Sequence, residues 1–218
     1  MFFDLDGTLT DPFPGITRSI QHALAQLGHP VPDAAELHWC IGPPLLDTFG
    51  RLLDSADRAL LDRAIAHYRD RFSTVGLFEN AVYPEVPGAV EALRASGYRT
   101  FVVTSKPRVF ALRIVEHFGL ARLFDRVYGS ELDGTRTDKG ELIAHVLASE
   151  TLAAERVVMV GDRQHDMIGA RKCAVASIGV TYGYGTAAEL EAHGAIRLAA
   201  SPAEIVHHVH AHFGSSGT

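Results

Sequence analysis

Two aspartates, Asp4 and Asp6, stand two residues apart at the end of a short apolar run. In an extended segment such residues face the same way, about 6.6 Å apart by strand rise. Both carboxylates can then address one site. A carboxylate is a competent nucleophile toward phosphorus. A second carboxyl beside it can protonate a departing oxygen and later deprotonate water. Gly7 permits the backbone turn that must follow. The same residues also fit a plainer description, two turn-forming aspartates with a cap at Thr8.

A second constellation closes the run Val157-Val158-Met159-Val160-Gly161 with Asp162, and Asp166 follows four residues later. If a helix starts there, the two acids lie on one side of it. Four carboxylates at two strand ends repel one another unless a cation joins them. Mg2+ takes oxygen ligands and keeps room for water and a phosphate. Asp162 also fits as a helix-capping residue, and both roles can hold at once. A third run, Phe101-Val102-Val103, ends in Thr104, Ser105, Lys106 and Pro107. A hydroxyl and backbone amides there could hold phosphate oxygens, helped by a helix N-terminus. An ordinary Ser/Thr cap would also account for the segment. Lys139 opens a further helix and by itself reads as a solvated charge.

The elements that must position these groups follow from the patterning. Residues 1–5 read as a short apolar strand. Residues 12–80 hold only helices, with helical spacing over 13–28, a capping box at Asp33 and Glu36, and amphipathic stretches over 45–53 and 56–72. Ile41-Gly42-Pro43-Pro44 must be a loop. After Tyr83-Pro84, helices are expected near 86–95, 108–118, 139–149, 165–173, 187–193 and 202–212. Asp138 and Glu141 suggest a second capping box. Strands are expected at 98–103, 126–128, 157–160, 176–180 and 196–198. Alternating strands and helices with wholly apolar strands indicate a parallel sheet covered on both faces. About seventy helical residues between the first strand and the next unit far exceed an ordinary connection. They read as a separate helical cap, residues 12–82, inserted into a Rossmann-like α/β core of residues 1–11 and 83–218.

Composition narrows the function classes. The chain has 218 residues, 47% hydrophobic and 21% charged, which suits a packed core. Its net charge of −6 gives no footprint for general nucleic-acid binding. Two cysteines, Cys40 and Cys173, make no disulfide framework and read as reduced thiols. No stretch reaches the length of a membrane span and no signal peptide is evident, so a cytoplasmic protein with no membrane partner is expected. The 214–218 tail is expected to be disordered.

Other leads carry less. Gly183-Tyr184-Gly185-Thr186-Ala187-Ala188 fits a dinucleotide fingerprint between a strand and a helix, but the strand after it does not end in an acid. A turn at the rim of the active site is the better reading. His207, His208, His210 and His212 read as a solvated helix face. His165 lies inside the Asp162–Asp166 loop and could reach substrate. Arg18, Arg69 and Arg71 in the helical insert are further substrate-contact candidates, as is the loop at Gly42.

Taken in this order, each at a strand end or helix start, the four motifs resemble the haloacid dehalogenase superfamily. The resemblance is to its phosphoglycolate-phosphatase-like branch, which carries a helical cap between the first and second motifs. It covers nearly the whole chain, and Gly42-Pro43-Pro44-Leu45 and residues 178–185 also look like that branch. The resemblance implies Asp4 as nucleophile and Asp6 as general acid and base. It implies Mg2+ held by the Asp4 carboxylate, the Asp6 carbonyl oxygen and Asp162, with Asp166 in support. Thr104 would hold the phosphoryl group, with Ser105 and Lys106 close by, and Lys139 would balance charge. Lys106 competes with Lys139 for the phosphate, and Lys139 is favoured. Dehalogenases and phosphonatases of the superfamily lack an acid at the position of Asp6, so phosphate-ester chemistry is implied.

The expected function is a Mg2+-dependent phosphatase acting on a small phosphorylated metabolite, with phosphoglycolate and nucleoside monophosphates foremost. A monomer or a homodimer is expected. The rivals are a phosphomutase of the same fold and a non-catalytic protein that binds Mg2+ and phosphate.

Overall fold

The computed structural model of the protein describes residues 1–214. Along the chain run β1 (Phe2–Phe3), β2 (Thr10–Asp11) and α1 (Phe13–Gln26). A 3-10 helix (Ala34–Cys40), α2 (Leu45–Leu52), α3 (Arg58–Arg71) and a π turn (Phe72–Gly76) follow. Next are β3 (Ala81–Val82), α4 (Val86–Ala95), β4 (Phe101–Pro107), α5 (Arg108–His117), β5 (Arg126–Ser130) and α6 (Lys139–Glu150). The chain continues with β6 (Val158–Gly161), α7 (Gln164–Lys172), β7 (Ala176–Val180), α8 (Ala187–His193), β8 (Arg197–Ala199) and α9 (Pro202–Gly214). Gly214 is thus the last helical residue, and residues 215–218 of the expected tail lie outside the described residues.

The residues divide into two compact units. One holds Met1–Asp11 and resumes at Val82; the other is Pro12–Ala81. The first contains a six-stranded sheet in the order β5-β4-β1-β6-β7-β8. All its pairings are parallel. Such a sheet is sealed by helices on both faces, which is why its strands are almost wholly apolar. Phe2 and Phe101 meet edge to face at 5.8 Å between ring centres. Around them Val103, Leu142, Ile143, Val146, Val157 and Met159 form a buried cluster.

The position of β1 decides where chemistry can occur. Phe2 pairs with Phe101 on one side and Met159 on the other, and Phe3 with Val102 and Val160. From this central strand the chain moves first to β4 and β5, then to β6 across the other edge. The carboxyl ends of β1, β4 and β6 therefore lie side by side where the winding reverses, the usual place for a ligand crevice in open α/β sheets.

The regular elements of the second unit are helices, apart from the start of β3 at its last residue, Ala81. Tyr68 stacks on Phe72 at 5.1 Å and meets Phe49 edge-on at 6.3 Å. Asp57 caps α3 by accepting from the Ala59 amide at 3.0 Å, so that helix starts two residues later than the apolar pattern suggests. It ends in the π turn, which periodicity alone does not distinguish from continued helix. The Asp33–Glu36 box is present, with the Asp33 amide donating to Glu36 at 3.0 Å, but the helix it opens is 3-10. At seven residues it is long for this tighter helix, which usually runs about three or four, and it ends at the bend at 41–43.

Candidate active site

Asp4 is the first residue beyond β1, and its amide donates to the Val160 carbonyl at 2.9 Å. That bond continues the ladder by one rung and fixes the Asp4 side chain at the mouth of the crevice. The chain then turns sharply. Gly7 takes φ +78, a left-handed value that favours glycine. Its amide donates to the Thr10 carbonyl at 2.7 Å, which returns Asp6 to the same mouth.

Lys139, the first residue of α6, is buried here. Its ammonium donates to Asp4 Oδ1 at 2.9 Å and to the Val103 carbonyl at 3.0 Å, and lies 2.7 Å from Asp166 Oδ1. Asp138 before it caps α6, accepting from the Glu141 amide at 3.0 Å. Burial disfavours the lysine's charge, but Asp166 and Asp4 more than offset that and hold its pKa above the ordinary lysine value. The same burial pushes the Asp166 carboxyl up to about 6, against the pull of Lys139.

Asp162 is completely buried. Its Oδ1 accepts from the Thr8 hydroxyl at 3.3 Å and its Oδ2 from the Tyr184 amide at 2.9 Å. Burial, with Asp166 and Asp4 nearby, drives its pKa well up. Asp162 does not cap a helix. Arg163 occupies the cap position of α7, and its amide donates to Asp166 at 3.2 Å. Asp4, Asp162 and Asp166 each offer a carboxylate oxygen, all within 4.8 Å of one another. Three buried acids with one ammonium among them leave a surplus of negative charge. An oxygen-only donor set of this kind fits Mg2+.

Thr104 and Lys106 lie in β4, which runs four residues past its expected end at Val103. The strand continues because Thr104 pairs with Gly129 and, after a shift in register, Pro107 pairs with Ser130. Thr104 is therefore no helix cap; that position of α5 belongs to Pro107. The Thr104 hydroxyl accepts from the Lys106 amide at 3.3 Å, and the Ser105 carbonyl accepts from the Ser130 hydroxyl at 2.8 Å. The Lys106 ammonium reaches Asp6, 2.8 Å from Oδ1 and 2.7 Å from Oδ2. Burial raises the Asp6 pKa, and Lys106 works in the opposite direction. His165, in the first turn of α7, is half-buried; burial, then Arg163 and Lys139, lower its pKa.

Gly42, Arg18 and Arg69 belong to the helical unit. Gly42 has φ +104. Arg18 pairs with Glu79 at 2.7 Å. Among the described residues the only gathering of potential metal ligands is the aspartate trio, so the C-terminal histidines form none.

The loop after β7, expected as a turn at the rim of the site, lies directly against Asp162. A Cβ on Gly183 would strike the Gly7 carbonyl and the Asp162 side chain, and one on Gly185 would strike the Asp162 carbonyl. The glycines that resemble a dinucleotide fingerprint are there to let this loop lie against Asp162. Tyr182 donates to the Thr8 carbonyl at 2.9 Å, and the Tyr184 hydroxyl bonds Asp11. The Gly-Tyr-Gly spacing was the available signal.

Known proteins resemble this chain in sequence and in fold. The profile of the haloacid dehalogenase-like hydrolase family matches residues 1–180. A 5'-nucleotidase of Pseudomonas aeruginosa is 54% identical over 193 residues, covering 88% of this chain and 87% of that one. The tyrosine-protein kinase PtkA of Mycobacterium tuberculosis is 39% identical over 187 residues, 86% of this chain but 63% of its own length. A phosphoglycolate phosphatase of Aliivibrio fischeri is 30% identical over 190 residues, with 84% and 83% covered. Among solved structures, a predicted phosphatase from Clostridium acetobutylicum superposes with a TM-score of 0.91 at 40% identity, over 95% of this chain and 96% of that one. The chain belongs to the haloacid dehalogenase-like hydrolase family.

Proposed function

We propose that this hydrolase is a Mg2+-dependent phosphatase that cleaves a nucleoside monophosphate through a phosphoryl intermediate on Asp4. Phosphoric monoester hydrolysis follows from the family and its relatives. The metal, the intermediate and the substrate are the finer part of the reading. The observation that carries it is the buried contact of Lys139 with both Asp4 and Asp166. It puts one ammonium and a cluster of acids around a single carboxylate at the mouth of the sheet.

The reaction runs in two displacements. Asp4 attacks phosphorus, the ester P–O bond breaks, and Asp6 gives its proton to the departing oxygen. Asp6 then takes a proton from water, whose oxygen attacks the same phosphorus. The bond from phosphorus to Asp4 breaks, and orthophosphate leaves with Asp4 and Asp6 restored. Thr104 holds a phosphoryl oxygen, and Lys139 offsets the charge that builds on the transferring group. Mg2+, held by Asp4, Asp162 and the Asp6 carbonyl with Asp166 in support, supplies further charge neutralisation.

The nucleoside monophosphate is preferred to phosphoglycolate because the relative named 5'-nucleotidase shares far more of this sequence than the phosphoglycolate phosphatase does. None of the residues assigned to bond breaking lies in Pro12–Ala81, and substrate choice is assigned to that unit. The test is phosphate release from nucleoside monophosphates, phosphoglycolate, sugar phosphates and pyrophosphate, with Mg2+ and with excess chelator. Nucleoside monophosphates should be turned over fastest and only with metal. Full activity in chelator would remove Mg2+ from the reading, and preference for phosphoglycolate would remove the substrate. Substitutions at Arg18, Arg69 or Gly42 should alter kcat/KM unequally across the panel. Equal losses on every substrate would contradict the division of labour.

A further inference from the structure

Two lysines enter the site, and they take different acids. Lys139 holds Asp4 and Asp166. Lys106 straddles Asp6, with its ammonium 2.8 Å from Oδ1 and 2.7 Å from Oδ2. The Lys106 side chain is only 7% exposed and that of Asp6 13%. Lysine is among the residues least often buried. Desolvating such a pair is repaid only when the geometry is good.

The backbone that carries Lys106 is itself held in place. β4 breaks its register between Thr104 and Pro107, so Lys106 sits in the irregular segment. Its amide is bonded to the Thr104 hydroxyl, and the preceding carbonyl to the Ser130 hydroxyl. On the neighbouring strand, a Cβ at Gly129 would come within 2.6 Å of the Lys106 carbonyl and 2.8 Å of the Arg108 Cα. Only a glycine there lets the segment lie so close. The lysine therefore starts from a fixed Cα and reaches an acid 100 residues earlier in the chain.

We infer that Lys106 is a positioning residue for Asp6: it fixes the plane of the Asp6 carboxyl so that one oxygen addresses the phosphoryl site on Asp4. The inference rests on the assignment of Asp6 as acid and base. Asp6 lies on a tight turn whose next residue is Gly7 at φ +78. An ammonium 2.8 Å from one carboxyl oxygen and 2.7 Å from the other orients its side chain. Lys106 makes and breaks no covalent bond; Asp6 gives the proton in the first displacement and takes one in the second. Misplacing a reacting group by 1 Å can cost about 10²-fold in rate. This role differs from binding phosphate, which falls to Thr104 and Lys139.

The test compares K106M, K106R, D6N and the K106M/D6N double variant on nitrophenyl phosphate and on an alkyl phosphate such as glycerol phosphate. A nitrophenolate leaves without a proton and an alkoxide does not. K106M should therefore lose about 10²-fold in kcat/KM on the alkyl ester, a ratio that reports the first displacement alone. On nitrophenyl phosphate that ratio should fall far less, while kcat can fall on both esters because the second displacement is common to them. K106R should recover part of the loss, and the double variant should be no slower than D6N. Equal losses of kcat/KM on both esters, a loss confined to KM, or additive losses in the double variant would overturn the inference in favour of phosphate binding. Crystal structures of the parent and K106M give an arm that needs no turnover. The Asp6 carboxyl should leave its parental orientation in K106M. If it stays, the positioning role is wrong whatever the kinetics. If the parent hydrolyses no phosphate ester, the proposed function fails, while the structures still decide the role of Lys106.

Discussion

The ammonium of Lys139 donates to Oδ1 of Asp4 across 2.9 Å, although 135 positions separate the two in sequence. The contact is closed by the packing of α6 beneath the sheet, where Leu142, Ile143 and Val146 are fully buried. Replacing Lys139 by methionine keeps much of that volume and removes the charge. Loss of one preorganised positive contact to a transferring group should lower kcat on the order of 10²- to 10³-fold. Without metal the variant should also melt earlier than the parent, since Asp4 and Asp166 lose the buried ammonium between them. Adding Mg2+ should narrow that gap. Steady-state kinetics and thermal melts in chelator and in Mg2+ check both. Unchanged kcat would take Lys139 out of the reaction.

Asp4→Asn should abolish turnover while leaving the fold intact, because the amide matches the carboxylate in shape. It should also change the response to metal. A ligand that binds only the folded state raises stability by mass action, by about 2.7 kcal/mol at a hundred times its dissociation constant. Mg2+ should therefore raise the melting temperature of the parent clearly and that of the variant much less. An equal rise in both would show that Asp4 is no ligand. Activity in the asparagine variant, with deamidation excluded by mass spectrometry, would end the covalent mechanism.

Much of this was legible in the sequence, for a specific reason. Asp4, Asp6, Asp162 and Asp166 announce themselves because each pair closes a wholly apolar run, and a buried parallel strand can end in acids only where the sheet opens. Lys139 could not be read alone. A lysine at a helix start has the same local signature whether it faces water or, as here, two buried acids. The apolar run stops at Val103, which is where the sequence places the end of β4, whereas the register shift lets the strand continue to Pro107. Asp162 was open to reading as a helix cap because the first turn of α7 is acidic, but the residue that accepts there is Asp166. The loop at Gly183 and Gly185 reads as rim without its reason, since close approach to Asp162, 21 and 23 positions earlier, leaves no trace in local spacing.

That loop can be tested directly. Alanine at Gly183 or Gly185 would force a methyl group against Asp162 or its carbonyl. Overpacking of this sort typically costs about 1–3 kcal/mol. The displaced Asp162 should also weaken the Mg2+ requirement curve, so that more metal is needed for half-maximal rate. Gly88 is the control. It lies in α4 with nothing within 4 Å of an added Cβ, and its change to alanine should stabilise by about 0.5–1 kcal/mol. Metal titrations and urea melts on the three variants decide it. A Gly183→Ala protein with parental metal dependence would mean that the loop does not set the position of Asp162.

The helical unit offers a prediction about pH. Glu79 is held by Arg71, with contacts of 2.7 and 3.0 Å, and by Arg18 at 2.7 Å. The Arg71 guanidinium is the main cause that keeps the Glu79 carboxyl below its ordinary value of 4.5; burial opposes it, and Arg18 assists. A carboxyl whose folded pKa is depressed adds stability that is fully present above the unfolded value. That stability fades as pH falls through the lowered folded value, because both states are then protonated. Glu79→Gln removes the charge and keeps the shape. At pH 7 the variant should be less stable by about 1 kcal/mol, a modest figure because Arg18 is largely exposed and solvent screens the pair. As pH falls below 4.5 and through the lowered folded value, the difference should shrink toward zero. Other carboxyls titrate in the same window, but they do so in parent and variant alike and cancel in the comparison. Urea unfolding of both proteins at a series of pH values gives the difference directly. A gap that stays constant through the acid titration of the carboxyl would place the effect of Glu79 in packing, and the ion pairs with Arg71 and Arg18 would not be its source.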